Sequence, residues 1–121
     1  MQIITLQQWN AMGLAPFADR LTKLIREAHP KESADVTDAE LRGEIARQAR
    51  KARGYGMKDE QTAAAYVYTA WLLGPDFDTR IPSLAQILNE PALSAPRKAD
   101  ALNNFTQTVF HALDTHAAGR P

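Results

Sequence analysis

The stretch from Arg53 to Asp78 constrains the fold most, because it places one strongly apolar helix between two glycine-containing turns. It opens on Gly54-Tyr55-Gly56 and closes on Gly74-Pro75-Asp76-Phe77-Asp78. Between the turns, apolar residues recur at helical spacing and predict a helix over residues 59–73; they are Ala63, Tyr66, Val67, Ala70, Trp71, Leu72 and Leu73. A helix that is apolar around most of its circumference needs neighbours on several sides. The pattern therefore predicts that this helix lies at the centre of a helical domain.

Three further helices are predicted before the central one. A capping-box pattern opens a short helix over residues 5–12, and an apolar stripe between Pro16 and Pro30 indicates a second helix. A better capping box at residues 37–40 opens the third helix, which is predicted to run to about residue 53. Gly54 is expected to take the left-handed conformation that commonly ends a helix.

After the central helix, residues 76–83 are predicted to form a loop, because Pro75 and Pro82 disfavour helix in the residues before them. A short helix is predicted over residues 83–89, and Ser94 is expected to cap the last helix. The predicted fold is all-α, a single compact bundle of four main helices plus one or two short helices, in one domain spanning residues 1–121. The expected core residues are Leu21, Leu24, Ile45, Tyr66, Val67, Ala70, Leu73 and Phe105.

Composition excludes several classes of function. The 121 residues carry a formal net charge of zero, which argues against a generally cationic nucleic-acid binder. Because the chain has no cysteine, it holds no disulfide, thiolate nucleophile or cysteine zinc site. The start of the chain lacks a cationic signal-peptide region, and no stretch approaches the roughly 20 apolar residues of a membrane helix. We therefore expect a cytoplasmic protein without membrane insertion. Export by a secretion machine that needs no signal peptide remains an open alternative.

A basic face on the third predicted helix is one candidate for partner binding. Its cations are Arg42, Arg47, Arg50, Lys51 and Arg53. The face suits an acidic protein partner or a phosphate backbone, although a solvated helix surface explains the same pattern. No aromatic residue is interleaved with the cations, which weighs against nucleic acid. Because Ile45, Ala49 and Ala52 occupy the inward stripe, the side chains at positions 47, 50 and 51 are predicted to face solvent.

Aromatic residues in and near the central helix form a second candidate. Tyr66 and Trp71 are five residues apart and Tyr68 points in another direction, so at least one aromatic ring should reach the surface. Core packing is the ordinary role of such residues. An exposed ring on this helix, at Tyr68 or Trp71, is suited to anchor a protein partner.

The acidic pair at Asp76 and Asp78 has oxygen ligands of the type that hard cations prefer. It lacks the further acids and the glycine of a calcium loop, so a structural role is expected, with Phe77 filling the core between the two carboxylates. Near the end of the chain, His111 and Asp114 are three residues apart and could share a helix face, whereas His111 and His116 do not converge. We interpret these histidines as surface residues. The sequence predicts no catalytic residue, metal or cofactor.

The order of these features resembles small uncharacterised proteins of bacterial type VI secretion gene clusters. The most specific parts of the pattern are Tyr55-Gly56 and Gly74-Pro75-Asp76-Phe77-Asp78, together with the distance between them in the sequence. The similarity extends over nearly the whole chain. A tryptophan is usual in that pattern just after the second proline, where this chain has Ser83 and Leu84. The resemblance implies an accessory role beside spike proteins and toxic effectors, and it transfers no catalytic residue.

These observations predict a non-enzymatic protein–protein interaction module, an adaptor, chaperone or co-effector that binds an effector or a spike protein. The alternative is a cytoplasmic immunity protein that neutralises a toxin. A small hydrolase that uses Asp76, Asp78 and a histidine, or a nucleic-acid-binding regulator, are minor alternatives. The sequence leaves the partner and the oligomeric state open.

Overall fold

The computed structural model describes the backbone of residues 15–118 and the side chains of residues 17–111, and this part of the chain contains helices and turns but no strand. Its helices are α1 (Ala15–Ala28), α2 (Asp38–Gly54), α3 (Glu60–Leu73), α4 (Phe77–Arg80), α5 (Pro82–Leu88) and α6 (Ala95–Ala118). The prediction of an all-α fold is confirmed. The helix predicted over residues 5–12 lies outside the described residues.

Side-chain caps at the predicted positions start the two helices that frame the first glycine turn. The Thr37 hydroxyl accepts a hydrogen bond from the Glu40 N–H at 3.1 Å, and the Asp59 carboxylate accepts one from the Thr62 N–H at 2.8 Å. Each cap satisfies a backbone donor that has no partner inside its helix. The predicted boundaries near residues 37 and 59 are therefore confirmed, and they follow from local chemistry alone.

Helix α3 occupies the centre, where it packs against both α2 and α6, while α1 packs against α2. The largest fully buried side chains are Phe17, Ile25, Leu41, Ile45, Gln48, Met57, Tyr66, Phe77, Leu84, Leu88 and Leu102. The first turn of α3 also buries the Glu60 carboxylate, which accepts a hydrogen bond from Arg20 Nε at 2.8 Å. The predicted burial of Leu21, Ile45, Tyr66, Val67 and Ala70 is confirmed.

The predicted burial of Leu24 is wrong, because 47% of this residue is exposed. Helix α1 buries the line formed by Phe17, Leu21 and Ile25, each four residues from the next, and Leu24 stands on the flank of that line. Leu73 and Phe105 are only partly buried and pack against the edge of the core.

The loop predicted over residues 76–83 is also wrong, because this segment contains α4 and the start of α5. The Arg80 N–H donates to the Asp76 carbonyl at 2.9 Å, which closes a helical turn directly after Pro75. Pro82 stands at the first position of α5, where a proline has no helical hydrogen bond to lose and its fixed φ favours the helix. Helix α5 corresponds to the short helix predicted over residues 83–89, and the error lies in the segment before it, where α4 forms.

The left-handed residue after α2 is Gly56, with φ of +84°, and the prediction of this role for Gly54 is wrong. Gly54 instead completes α2, and the Met57 N–H donates back to the Ala52 carbonyl at 2.9 Å. The second turn also contains a glycine with positive φ, because Gly74 has φ of +110°. Both turns beside α3 thus depend on a conformation that glycine adopts at little cost.

Two glycine-to-alanine substitutions are expected to change stability in opposite directions. Gly43 lies inside α2, and a Cβ atom there would meet no heavy atom within 4 Å beyond the backbone of its own helix, so Gly43→Ala should raise the free energy of unfolding by about 0.5–1 kcal/mol. A Cβ at Gly56 also has open space, but the positive φ is strained for alanine. Gly56→Ala should therefore lower the free energy of unfolding by about 1–2 kcal/mol. Urea denaturation measures both values, and a loss of stability in Gly43→Ala comparable to that in Gly56→Ala would contradict the assignment.

Candidate functional site

The two turns that bracket α3 meet in a polar cluster around Asp78. The Tyr55 hydroxyl donates to Asp78 Oδ2 at 2.8 Å, and the Lys51 ammonium donates to Asp78 Oδ1 at 3.0 Å. The same ammonium donates to the Pro75 carbonyl at 2.9 Å, and the Gln48 amide donates to that carbonyl at 3.1 Å. We call these five residues the Asp78 cluster. It joins α2 to both turns, so the two most specific pieces of the sequence pattern are in direct contact.

Burial and charge fix the protonation states in this cluster. Asp78 is 5% exposed. Burial alone raises the pKa of this carboxyl group, but hydrogen bonds from Lys51 and Tyr55 and the charge of Lys51 bring it below the ordinary value. Burial, followed by the hydrogen bond to Asp78, raises the pKa of Tyr55 to about 12. At neutral pH the carboxylate is therefore ionised and the tyrosine keeps its proton as a donor.

The contacts of Asp78 give it a structural role. Its two oxygens already accept from Lys51 and Tyr55, and the Lys98 ammonium of α6 donates to the Tyr55 carbonyl at 3.0 Å. Asp76 is exposed and stands outside this cluster. Within residues 17–111, no group of three or more histidine, aspartate or glutamate side chains converges to hold a metal ion. The Asp78 cluster therefore links α2 to both turns and to α4.

Aromatic rings fill the core beneath the Asp78 cluster. Phe77 is 1% exposed, as predicted, and its ring centroid lies 4.9 Å from that of Tyr66, which in turn lies 5.8 Å from that of Tyr55. The Tyr66 hydroxyl is buried without a hydrogen-bond partner of normal geometry among the described residues. Burial, and secondarily the nearby Asp78 charge, raise the pKa of Tyr66. The Asp76-Phe77-Asp78 segment therefore places one ring in the core and one carboxylate above it.

The basic face of α2 is largely neutralised by neighbouring acids. Its ion pairs are Arg42 with Asp19 at 3.0 Å, Arg47 with Glu44 at 2.9 Å and Lys51 with Asp78 at 3.0 Å. Arg47 and Arg50 are exposed, as predicted, and Arg53 is partly buried. The prediction that Lys51 faces solvent is wrong, because its ammonium reaches across to the Asp78 cluster and its side chain is 27% exposed. The face presents less positive charge than the sequence suggests.

Tyr68 and Trp71 lie together at the surface of α3 against His29, which follows the end of α1. His29 Nε2 and the Tyr68 hydroxyl are 2.5 Å apart, and the His29 ring centroid lies 6.3 Å from that of Trp71. All three residues are partly buried. We call them the His29 aromatic cluster. The role of His29 could not be predicted from the sequence, because its contact with Tyr68 spans 39 positions and has no local pattern.

An apolar groove of about 400 Å³ opens between α2 and α3 beside this cluster. Its lining consists of Ile25, Val36, Glu40, Leu41, Glu44, Ile45, Gln48, Val67, Ala70, Trp71, Gly74 and Pro75. The Arg26 guanidinium holds one wall in place, since it hydrogen-bonds the Ser33 and Val36 carbonyls and the Asp38 carboxylate. Trp71 belongs both to the groove and to the His29 aromatic cluster. The helical periodicity of the sequence did not reveal this groove.

His29 lies close to two polar side chains on this surface. His29 is near Glu32, with Nδ1 4.0 Å from the carboxylate, and near the Tyr68 hydroxyl. Burial raises the pKa of Tyr68, which opposes formation of a phenolate nucleophile. His111 is exposed, and the side chains of Asp114 and His116 lie outside the described residues.

No helix within residues 15–118 is both long and apolar enough to cross a membrane.

Comparisons of the chain with protein-family models, with curated proteins and with solved structures found no match. The site must therefore be interpreted from its own geometry.

Proposed function

We propose that this chain is a non-enzymatic protein-binding module, and that its contact surface is the His29 aromatic cluster together with the mouth of the α2–α3 groove. One observation carries this proposal. Tyr68 and Trp71 remain partly exposed on the central helix, beside an apolar groove of about 400 Å³. Tyrosine and tryptophan beside a pocket are typical anchors of protein interfaces, because they bury much apolar surface at small conformational cost.

The arginines of α2 have a secondary role in this proposal. Internal ion pairs with Asp19 and Glu44 occupy Arg42 and Arg47, so a partner would have to compete for their charge. The exposed Arg50 is proposed as a rim contact that steers association. A neutral chain with a paired basic face is poorly suited to bind nucleic acid, since that binding depends on releasing counterions from phosphates.

Within the protein-binding class, we propose a cytoplasmic accessory of a type VI secretion effector or spike, acting as an adaptor, chaperone or co-effector. The resemblance of the Tyr55-Gly56 and Gly74–Asp78 patterns supports this role. The contact between Tyr55 and Asp78 gives those patterns a structural role. The resemblance is therefore better explained by a fold shared with those proteins than by a chemical activity shared with them. The long helices are proposed to act as a bundle that presents one face. An immunity protein against a toxin is the alternative, and it uses the same face.

Affinity capture from the source cells tests the proposal. The tagged wild-type chain should retain one or a few specific proteins that the double variant Tyr68→Ala, Trp71→Ala fails to retain. Phe110→Ala is a matched control, because it removes another partly exposed ring, 37% exposed, from α6. Circular dichroism must show that both variants keep the wild-type helicity. Retention of the same proteins by the folded double variant would contradict the proposed surface.

A further inference from the structure

A second apolar groove lies on the side of the bundle between α1 and α6. Helix α1 packs on α2, α2 on α3 and α3 on α6, but α1 and α6 do not form a close helix pair in the described part of the chain. A groove of about 310 Å³ opens between them, and we call it the α1–α6 groove. Its lining consists of Leu21, Leu24, Ile25 and Ala28 from α1, Gln61, Ala64, Ala65 and Tyr68 from α3, and Asn103 from α6.

Exposed apolar side chains lie on this side of the bundle. Leu24 and Phe110 are the large hydrophobic residues that are exposed within residues 17–111, at 47% and 37%. Leu24 forms part of the groove wall. Phe110 comes seven residues after Asn103 on α6, so the two side chains lie on the same side of that helix. The apolar surface left open in the described part of the chain is therefore concentrated beside this groove.

The α1–α6 groove is lined by uncharged side chains. Its polar members are the side-chain amides of Gln61 and Asn103 and the hydroxyl of Tyr68, and no charged residue belongs to its described lining. A charged side chain inside the groove would lose water without gaining a counter-charge. The groove therefore suits an apolar segment whose only polar side chains are neutral.

This chain contains such a segment directly before α1. No charged side chain occurs before Asp19 in the sequence. Amide side chains supply much of the polarity of the segment, at Gln2, Gln7, Gln8 and Asn10, and its large apolar residues are Ile3, Ile4, Leu6, Trp9, Met12 and Leu14. A segment that stays in water ordinarily carries more charge and fewer large apolar residues. Its composition therefore matches that of the groove.

The segment also has a suitable length and point of attachment. A small cavity that shares Leu21, Leu24 and Ala64 with the groove extends it to Phe17, near the start of α1, and the two charged residues beside that cavity pair with each other. Leu24 is nine residues after Ala15, which is about 14 Å along α1. The helix predicted over residues 5–12 would span about 12 Å. A segment that reverses direction before α1 therefore reaches the level of Leu24.

We propose that residues 3–12 of this chain dock in the α1–α6 groove and cover the open side of the bundle, with their apolar side chains against Leu24 and its neighbours. The covalent connection at Ala15 favours this occupant over a second copy, because it holds the segment at a high effective concentration beside its own groove. Trp71 is not part of this lining, so the docked segment leaves the α2–α3 groove open. The inference is independent of the proposed function.

The test attaches a nitroxide spin label near the start of the ¹⁵N-labelled full chain. Because the chain has no cysteine, Gln2→Cys provides a single attachment site. The oxidised label should broaden the amide signals of Leu24, Ala28 and Ala65, and reduction of the label with ascorbate should restore them. Signals from the exposed face of α2, such as that of Arg50, should lose much less intensity. Intact signals at the groove, or broadening centred on another face, would overturn the inference.

A mixed sample separates docking within one chain from docking between chains. Spin-labelled chain without ¹⁵N is mixed with ¹⁵N-labelled chain that carries no spin label. No broadening at the groove is expected in this sample. Broadening there would show that the segment docks on a second copy, and it would overturn the assignment to the same chain.

A pair of matched substitutions tests the groove wall. In the spin-labelled chain, Leu24→Ser should cause loss of the broadening at Ala28 and Ala65, because it removes a large apolar contact from the groove. Lys23→Ser introduces the same residue at the neighbouring exposed position, outside this lining, and should leave the broadening unchanged. Circular dichroism should show the wild-type helicity in both variants, since both positions are exposed. Equal broadening in the two folded variants would contradict the contact with Leu24.

Discussion

Replacement of Phe77 by alanine should lower the free energy of unfolding by about 3–5 kcal/mol, the range measured for large aromatic residues removed from protein cores. Phe77 is 1% exposed and packs on the Tyr66 ring, so the lost side chain leaves a cavity that rigid helices cannot close. A domain of this size has a total stability of about 5–15 kcal/mol, so the variant should unfold at a much lower urea concentration.

Phe110→Ala is the matched control for this experiment, because it deletes the same side chain from a position that is 37% exposed. It should cost less than about 1 kcal/mol, as expected for a surface substitution. Similar losses in the two variants would mean that Phe77 does not fill the core.

The second large effect is expected at Asp78. Asp78→Ala removes the acceptor for both Lys51 and Tyr55 and leaves a partly buried ammonium without its counter-charge. Because the Lys51 side chain is 27% exposed, water can partly replace the carboxylate, and we expect a loss of about 2–4 kcal/mol, somewhat less than for a fully buried pair. Asp76→Ala removes a neighbouring exposed carboxylate and should cost little.

Acid should reduce the advantage of wild type over Asp78→Asn. The pKa of Asp78 is lower in the folded protein than its ordinary value, so its stabilising contribution is fully present above the unfolded pKa of about 4 and is lost as pH falls through the folded value. Urea denaturation at pH 7 and at pH 3 should therefore show a smaller difference between the two proteins at pH 3. A difference that is constant or larger at pH 3 would contradict the assigned ionisation of Asp78.

The parts of the fold that could be predicted depend on local chemistry. Thr37 and Asp59 cap their helices through contacts three residues away, and the apolar repeat of α3 reports its burial directly. Pro82 shows the limit of such rules, because a proline that disfavours helix before it also favours helix after it. Leu24 shows another limit of sequence patterns. The apolar residues of one helix do not reveal which side of the apolar face a neighbouring helix covers, and Leu24 lies on the uncovered side.

The candidate site was predictable only in part. Tyr68 and Trp71 could be proposed from the sequence, because aromatic side chains that point in different directions from one helix cannot all be buried in one core face. The contacts of His29 and Gln48 were missed, since they arise from packing between segments distant in sequence. The basic face was overestimated for the same reason, because the acids at positions 19 and 78 that neutralise Arg42 and Lys51 come from other helices.

Contact through Tyr68 and Trp71, rather than through the arginines of α2, is tested most directly by the dissociation constant of the captured partner for two single variants. Trp71→Ala should weaken binding by at least about 30-fold, the scale of an interface anchor worth 2 kcal/mol. Arg50→Glu should change it less than about threefold at physiological salt, mainly through the association rate. The opposite ranking, with the loss at Arg50 and wild-type affinity in Trp71→Ala, would contradict the proposed surface.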